Sequence, residues 1–499
     1  MNREKLLSQL VEPTEEWDII VIGGGATGLG IALDAASRGY RTALLEQADF
    51  AAGTSSKSTK LVHGGVRYLQ GGEIPLVRES LRERGRLLRN APNLVKALPF
   101  VVPAYRWYER LYHGIGLRLY DLLAGRLGIA STGHLSQEQT SLRVPNLKAA
   151  GLHGSTLYWD GQFDDARMAI ALARTAVQEG AVPVNYVSVE ELIKEDGKVK
   201  GLRAVDQLGG DEFLLKAKAV INATGVFSDS VRKMDVPNAP DVIIPSQGIH
   251  LVLDREFLGG NTGVMIPKTD DGRVLFAIPW HNRILLGTTD TPGVPPSLHP
   301  MPHEEEVEYL LEHAARYLTR APAREDIRAT FAGLRPLVKP RGSGGGATSK
   351  ISRSHSIFFS ESGLLTIAGG KWTTFRQMAE DAVDRIAAEG LLRTKPCCTG
   401  DLTLLDQSRA SELAEADPDL REPLDVELPY TMADVAAGVR YEMAMTLSDV
   451  LSRRTRCLLL DQQATIRCAE KIARWMAKEL GKGDQWVEDQ LEDFSNETK

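Results

Sequence analysis

The chain has 499 residues, a formal net charge of −7, and 43% hydrophobic and 25% charged residues. That is the composition of an ordinary folded protein, long enough for roughly two to four domains. Its negative balance argues against a general nucleic-acid binder. Four cysteines, with Cys397 and Cys398 adjacent and no CxxC, argue against a zinc or iron–sulfur site and suit a reducing, intracellular compartment.

The N-terminal "MNREKLLSQLVEPTEEWD" has no apolar core of signal-peptide type. No run approaches the length of a membrane span. Residues 18–46 read as a β-α-β unit. "DIIVI" is a continuous apolar run, as in a strand buried on both faces. Leu29, Leu33 and Ala36 recur at helical spacing, Gly39 ends the helix, and "TALLE" is the next strand. From about 75 to 130 the pattern predicts helix, rich in arginine and aromatics. "DDARMAIALARTAVQ", 164–178, is a helix opened by acidic residues. Short strands and turns follow over 181–225, ending in "AKAVINATG". Residues 243–290 predict an antiparallel sheet punctuated at "TDDGR" and "WHNR". "KPRGSGGGATSK", 339–350, is a loop. "GLLTIAGGKWTTFRQMAEDAVDRIAAEG" is strand, Gly-Gly turn and helix. Beyond about 395 the chain turns helical and polar, with Cys457 and Cys468 as helix-packing residues.

"GGGATGLG" places Gly23, Gly25 and Gly28 in G-x-G-x-x-G between a strand and a helix. Glycines there allow a tight turn, backbone approach to a pyrophosphate, and close helix–sheet packing. The helix N-terminus offers donors to phosphate. Glu46 ends the next strand about 20 residues on, where a carboxylate accepts from a ribose hydroxyl. The fingerprint alone does not separate NAD from FAD. "AVINATG", with Ala223 and Gly225, is a second strand-to-glycine approach. "TIAGGKWTT", with Gly370 and Thr373, is a third, opening a helix whose N-terminus suits the anionic reduced flavin. The three together point to FAD.

"STKLVHGGVRYLQGG", 58–72, adds Lys60, His63, Arg67 and Tyr68 around Gly64–Gly65. With "INATGVFSD", "YWDGQFDDARM", "IPWHNRILLGTTDT", "FAGLRPL" and "AGGKWTTFRQMAEDAVD", this closely resembles the FAD-dependent glycerol-3-phosphate dehydrogenases over about 17–390. "RYEMAMTLSDVLSRRTR" resembles the family's C-terminal helical domain. The resemblance implies an α/β FAD-binding domain (Rossmann-like, of D-amino-acid-oxidase type), an α+β antiparallel-sheet substrate domain and a C-terminal helical domain. The expected segments are 16–75, 161–242 and 336–394 for the FAD-binding domain, 76–160 and 243–335 for helical and substrate parts, and 395–499 for the C-terminal domain.

The resemblance further implies oxidation of sn-glycerol 3-phosphate to dihydroxyacetone phosphate, with electrons passing from FAD to a membrane quinone. It implies a cytoplasmic enzyme held peripherally at the inner face of the cell membrane, with room for a homodimer. Arg67, Tyr68, Arg335 in "GLRPL" and Lys371 in "GGKWTT" are the implied substrate-binding residues, since arginine forks grip phosphate. Arg335 also suits a developing alkoxide. Loss of the hydroxyl proton needs a base, and His63 and His250 are the candidates. Ser55, Ser56 and Lys60 are expected at FAD. Asp290 in "GTTDT" reads as a turn cap. "AYRWYERLYHGIGLRLYDLLAGRL", 104–127, is open to two readings, a core-packed helix or a bilayer-interface helix whose arginines meet anionic headgroups. The nearest rival is an oxidase passing electrons to oxygen, disfavoured by the short "GSGGGATSK" region. A flavin-binding sensor without turnover is a second rival, and it would not need the three substrate cations.

Overall fold

The computed structural model describes residues 1–12, 16–267, 269–270, 273–339 and 354–498, without the side chains of Arg67 and Gln70. The glycine-rich loop at 342–346 lies outside the described residues. Two sheets organise the chain. In the first, strand Trp17–Ile22 is central and pairs in parallel with Thr42–Glu46 on one side and Glu212–Asn222 on the other. Val182–Asn185 extends the first side, and Leu365–Gly369 the second. Ile19, Ile20 and Val21 are fully buried, as a two-faced parallel strand requires. Helix Ala26–Ser37 follows the central strand and packs between helices Asp165–Gln178 and Phe375–Ala388. Asp164 caps the first of these, its side chain accepting from the Arg167 amide.

Among the described residues the second sheet has ten strands. Its spine is the long antiparallel pair Ile243–Asp254 and Ile327–Val338. Its other half is Val95–Pro103 against Ser155–Phe163, joined to the rest through Gly263–Ile266. Residues on this sheet alternate in what they meet. Val252, Ile278, Leu285 and Phe331 face the C-terminal helices, while Leu251, Leu253, Ile284 and Ala332 join the cluster under helix Glu304–Tyr317.

Two expectations need correcting. The span 75–130 is not all helix: between Ile74–Asn90 and Glu109–Ala124 lies strand Val95–Pro103. Its run "PFVVP" is β-branched and aromatic, and it is buried on both sides from Phe100 onward. The chain also crosses into the second sheet at Leu61–Val62, ahead of residue 75. The C-terminal part is helical, with Gln462–Glu479 and Asp484–Glu497 its longest elements, and Cys457 and Cys468 are buried in its core. Among the described residues no helix is long and apolar enough to cross a membrane.

Candidate active site

Two cavities meet where the sheets meet. The first, of about 340 Å³, opens at the carboxyl end of the parallel strands and is bordered by Gly23, Gly25, Glu46, Ser55, Ala223 and Gly225. The second, of about 310 Å³, is bordered by His63, Tyr68, His250, Asp290, Arg335 and Thr373. Thr54, Pro336, Gly369, Gly370, Lys371 and Trp372 border both, so the two are lobes of one cleft. A ligand at the carboxyl ends of parallel strands is the rule for open α/β sheets.

The first lobe is built from backbone. A Cβ on Gly23 (φ +108°) would lie 2.7 Å from the Ala223 carbonyl oxygen, and one on Gly28 1.9 Å from the Gly23 carbonyl oxygen. Gly28 therefore serves helix–strand packing and does not itself border the cleft. The Ala26 amide, at the helix start, donates to Ser55 Oγ at 2.9 Å. Glu46 accepts from the Gly24 amide (2.6 Å) and the Ala48 amide (2.9 Å). Burial raises its carboxyl above the ordinary value, against the pull of those two amides. A carboxylate has about four acceptor positions, so Glu46 retains capacity for a ribose hydroxyl. The tight glycine turn, the helix start and Glu46 together fit a dinucleotide.

Ser56 and Lys60 do not sit at this lobe. Lys60 is fully buried, and its Nζ donates to Asp165 Oδ2 and the Ser56 carbonyl, both at 2.7 Å. Burial lowers its ammonium to about 8, Asp165 opposing the shift. These two residues shape the ribbon leading to His63 and border neither lobe. Thr373 borders the second lobe, where its Oγ accepts the His63 amide at 3.1 Å.

The second lobe is built from side chains of distant segments. The Arg335 guanidinium donates to the Gln247 carbonyl (3.2 Å), Thr288 Oγ (3.0 Å) and the Thr289 carbonyl (3.0 Å). It also pairs with Asp290 at 3.2 Å. Asp290 is thus part of the cavity wall and more than a turn cap. The sequence named it, but it reaches Arg335 because Ile243–Asp254 pairs with both Ile327–Val338 and Thr291–Pro292. Lys371 Nζ lies 4.1 Å from the centre of the Tyr68 ring and 3.3 Å from Ser80 Oγ. The Arg67 side chain lies outside the described residues.

His250 is buried, stacks on Phe331 at 4.8 Å and shares a 2.9 Å hydrogen bond between Nε2 and Thr59 Oγ. Burial, reinforced by Lys60 and Arg335, holds its pKa well below the ordinary value, so the ring is neutral. His63 is half-buried at the start of the Gly64–Gly65 loop. That loop's small residues make room for the protein's own groups: a Cβ on Gly64 would meet Leu81 and the Tyr120 hydroxyl at 2.5 Å, and one on Gly65 the Tyr68 ring at 2.3 Å. The Gly64 amide donates to the Tyr120 hydroxyl at 2.7 Å, and that hydroxyl donates to Asp160, which pairs with Arg84. Sequence reasoning missed this support because its members are far apart in the chain.

Residues 18–376 match the family model of FAD-dependent oxidoreductases, and 405–487 match that of the C-terminal domain of α-glycerophosphate oxidase. Fold and cleft therefore define a FAD-dependent oxidoreductase. The mitochondrial glycerol-3-phosphate dehydrogenase of Macaca fascicularis is 42% identical, over 98% of this chain and 74% of its own. That of Schizosaccharomyces pombe is 35% identical, over 97% and 87%. The solved glycerol-3-phosphate dehydrogenase of Bacillus halodurans, complexed with FAD, superposes with a TM-score of 0.79 at 29% identity, covering 100% of this chain and 97% of that one. The chain belongs to the FAD-linked glycerol-3-phosphate dehydrogenase family, and FAD is its cofactor.

Proposed function

We propose that this chain oxidises sn-glycerol 3-phosphate to dihydroxyacetone phosphate and delivers the electrons to a membrane quinone. The observation that carries the reading is the second lobe, where Arg335, Lys371 and Tyr68 gather around one cavity that opens onto the FAD lobe. A small phosphate close to two negative charges needs several fixed donors, each worth about 1.5–3 kcal/mol. Arg67, on the same loop as Tyr68, belongs to the proposed set through its motif.

FAD, which Gly23, Gly25, Glu46 and Ser55 would hold in the first lobe, would supply the two-electron acceptor for the hydrogen on C2. The chain's own residues do the rest. Arg335 and Lys371 bind the phosphate and orient C2, and Arg335 stabilises negative charge growing on the C2 oxygen. The proton of that hydroxyl passes to an imidazole. His63 is the proposed base, and His250, neutral and bonded to Thr59, is the alternative. The variants His63→Ala and His250→Ala separate them, because loss of the base slows flavin reduction about 10²–10⁴-fold.

The decisive experiment is anaerobic stopped-flow mixing of the FAD-loaded protein with glycerol 3-phosphate, then with a soluble quinone or with oxygen. Bleaching followed by fast quinone and slow oxygen reoxidation supports the proposal. Fast oxygen reoxidation makes the chain an oxidase, and no bleaching removes the substrate assignment.

We also propose that helix Glu109–Ala124 and the residues before it dock on an anionic bilayer. Its inner face, Leu117, Tyr120 and Ala124, is buried, while Trp107, Leu111, Ile115 and Leu122 are 78%, 63%, 63% and 76% exposed. Arg106, Arg110 and Arg118 are exposed beside that stripe. An amphipathic helix with an apolar face and flanking arginines has the chemistry of an interfacial segment. Replacing the three arginines by glutamate is expected to abolish sedimentation with anionic vesicles while sparing activity with a soluble dye. Unchanged sedimentation would refute the docking surface.

A further inference from the structure

Among the described residues the C-terminal domain has no side chain bordering either lobe, yet it sends three guanidiniums into the loop that builds them. Residues Asp449–Arg454 form a π-helical turn, with the Thr455 amide donating back to the Val450 carbonyl at 2.8 Å. Such turns are uncommon and recur at functional positions. The turn presents two consecutive arginines to one carboxylate. Arg454 grips Asp49 with both Nη atoms, at 2.5 and 2.7 Å, and Arg453 Nε reaches the same group at 2.6 Å. Asp49 is fully buried and takes a further hydrogen bond from Asn185. Three residues on, Arg456 Nη2 donates to the Ser56 carbonyl (2.9 Å) and to Asp165 (3.0 Å). Asp165 also takes the Lys60 ammonium and both the amide and the hydroxyl of Ser58.

All of these partners lie on or directly hold one stretch, Gln47–Lys60. From it, Gln47, Ala51, Ala52, Gly53, Thr54 and Ser55 border the FAD lobe. Lys57, Ser58 and Thr59 border the substrate lobe. The stretch is not held by regular structure: apart from a short turn at Thr54–Ser56 it has neither helix nor strand. Ala51 and Lys60 carry φ values of +61° and +60°, which non-glycine residues adopt only when their surroundings impose it. Its other anchors are mostly single hydrogen bonds from scattered segments: the Ala51 amide on the Gly24 carbonyl, the Ala26 amide on Ser55 Oγ, the Thr54 hydroxyl on the Leu334 carbonyl, the Trp372 indole N–H on the Ser55 carbonyl and Thr59 with His250.

Burying so many charges is a poor way to gain stability, because desolvation offsets most of the attraction. It is an effective way to impose one geometry on an irregular segment. We propose that the C-terminal domain is a cofactor clamp: Arg453, Arg454 and Arg456 fix the loop Gln47–Lys60, so that tight retention of FAD depends on three residues that do not line its cleft. They are positioning residues, acting through Asp49 and Asp165.

The test compares two interdomain ion pairs. Arg454→Met loosens the clamp. Arg283→Met breaks the buried pair between Arg283 and Asp461, which ties the same C-terminal domain to the second sheet through a guanidinium bonded to Leu460, Asp254 and Asp461 and to none of the loop's residues. The parent protein binding FAD is the starting condition, read by flavin fluorescence. Arg454→Met is expected to raise the FAD Kd at least about tenfold, the value of one lost charged hydrogen bond. At saturating FAD its rate of flavin reduction by glycerol 3-phosphate should match the parent's. Arg283→Met should lower Tm and leave the FAD Kd unchanged. An unchanged Kd in Arg454→Met, or an equal rise in both variants, overturns the clamp. Should Arg454→Met fail to fold, the parent protein decides by amide hydrogen exchange. FAD addition to the apoprotein is expected to slow exchange across 449–456 together with 47–60. Exchange in 449–456 that does not respond to FAD refutes the proposal.

Discussion

The two lobes of the cleft are built in different ways. The FAD lobe is a backbone site: Gly23, Gly25 and the start of helix Ala26–Ser37 offer amides and closeness, and Glu46 is its single acidic side chain among those named. The proposed substrate lobe is built from side chains, with Arg335, Asp290, Lys371, Tyr68 and His250 arriving from separate elements. A backbone site fails when a Cβ is added. A side-chain site fails when a charge is removed. The difference makes the two lobes separable by mutation.

The largest effect is expected at Gly28. Its Cβ position lies 1.9 Å from the Gly23 carbonyl oxygen, a backbone atom that cannot rotate away. Gly28→Val should yield protein without flavin, read as the ratio of visible to ultraviolet absorbance on purification. Normal flavin content would mean that the strand and helix can separate without losing the site. Next in size is Arg335→Ala, for which kcat/KM should fall roughly 10²–10³-fold while flavin content stays that of the parent. Flavin loss in that variant would end the separation of the lobes, and parental kinetics would remove Arg335 from the substrate site.

This contrast also governs what was legible from sequence. The fingerprint of the FAD lobe is contiguous: strand, glycines, helix and Glu46 fall within about 30 residues, the length of one βαβ unit, although Ala223, Gly225 and Gly370 join it from far along the chain. Local pattern therefore carries it. The substrate lobe depends on register between Ser246 and Arg335, and on the two sheets meeting at Gly369–Lys371. Its members could be named by resemblance to a family but not assembled. Lys60 shows the limit of that method. Its motif placed it beside the cofactor, whereas the fold turns its ammonium away to Asp165. Strand Val95–Pro103 was hidden for a related reason, since arginine-rich helices on both sides dominated the local pattern.

His250 sharpens the comparison through pH. Its folded pKa is held well below 6.5, chiefly by burial, while the unfolded chain takes up a proton near 6.5. Below that pH the unfolded state binds the extra proton and the folded state does not. Stability attributable to His250 is therefore complete above 6.5 and is lost as pH falls, by up to about 1.4 kcal/mol per pH unit. Urea unfolding at pH 7 and pH 5.5 should show a smaller drop for His250→Gln than for the parent. Equal drops would mean that the ring is not kept neutral by its site. No such slope is expected from the FAD lobe's glycines, which do not titrate.

The smallest effect is expected at Asp290, and it tests how a side-chain site is held rather than what it holds. Asp290 pairs with Arg335 at 3.2 Å and accepts the Ser246 hydroxyl. Asp290→Asn keeps the shape and one acceptor oxygen but removes the charge. Arg335 retains its bonds to Gln247, Thr288 and Thr289, so its guanidinium should remain near its place. The expected loss in kcat/KM is about fivefold, what one hydrogen bond of about 1 kcal/mol is worth. It should fall mainly on kcat if Asp290 aligns Arg335 with the reacting oxygen, because an interaction made only in the transition state lowers kcat and kcat/KM together. A rise in KM with kcat intact would instead assign Arg335 to holding the phosphate alone. The alkoxide role would then pass to another donor of the same cavity, with Lys371 the nearest in kind.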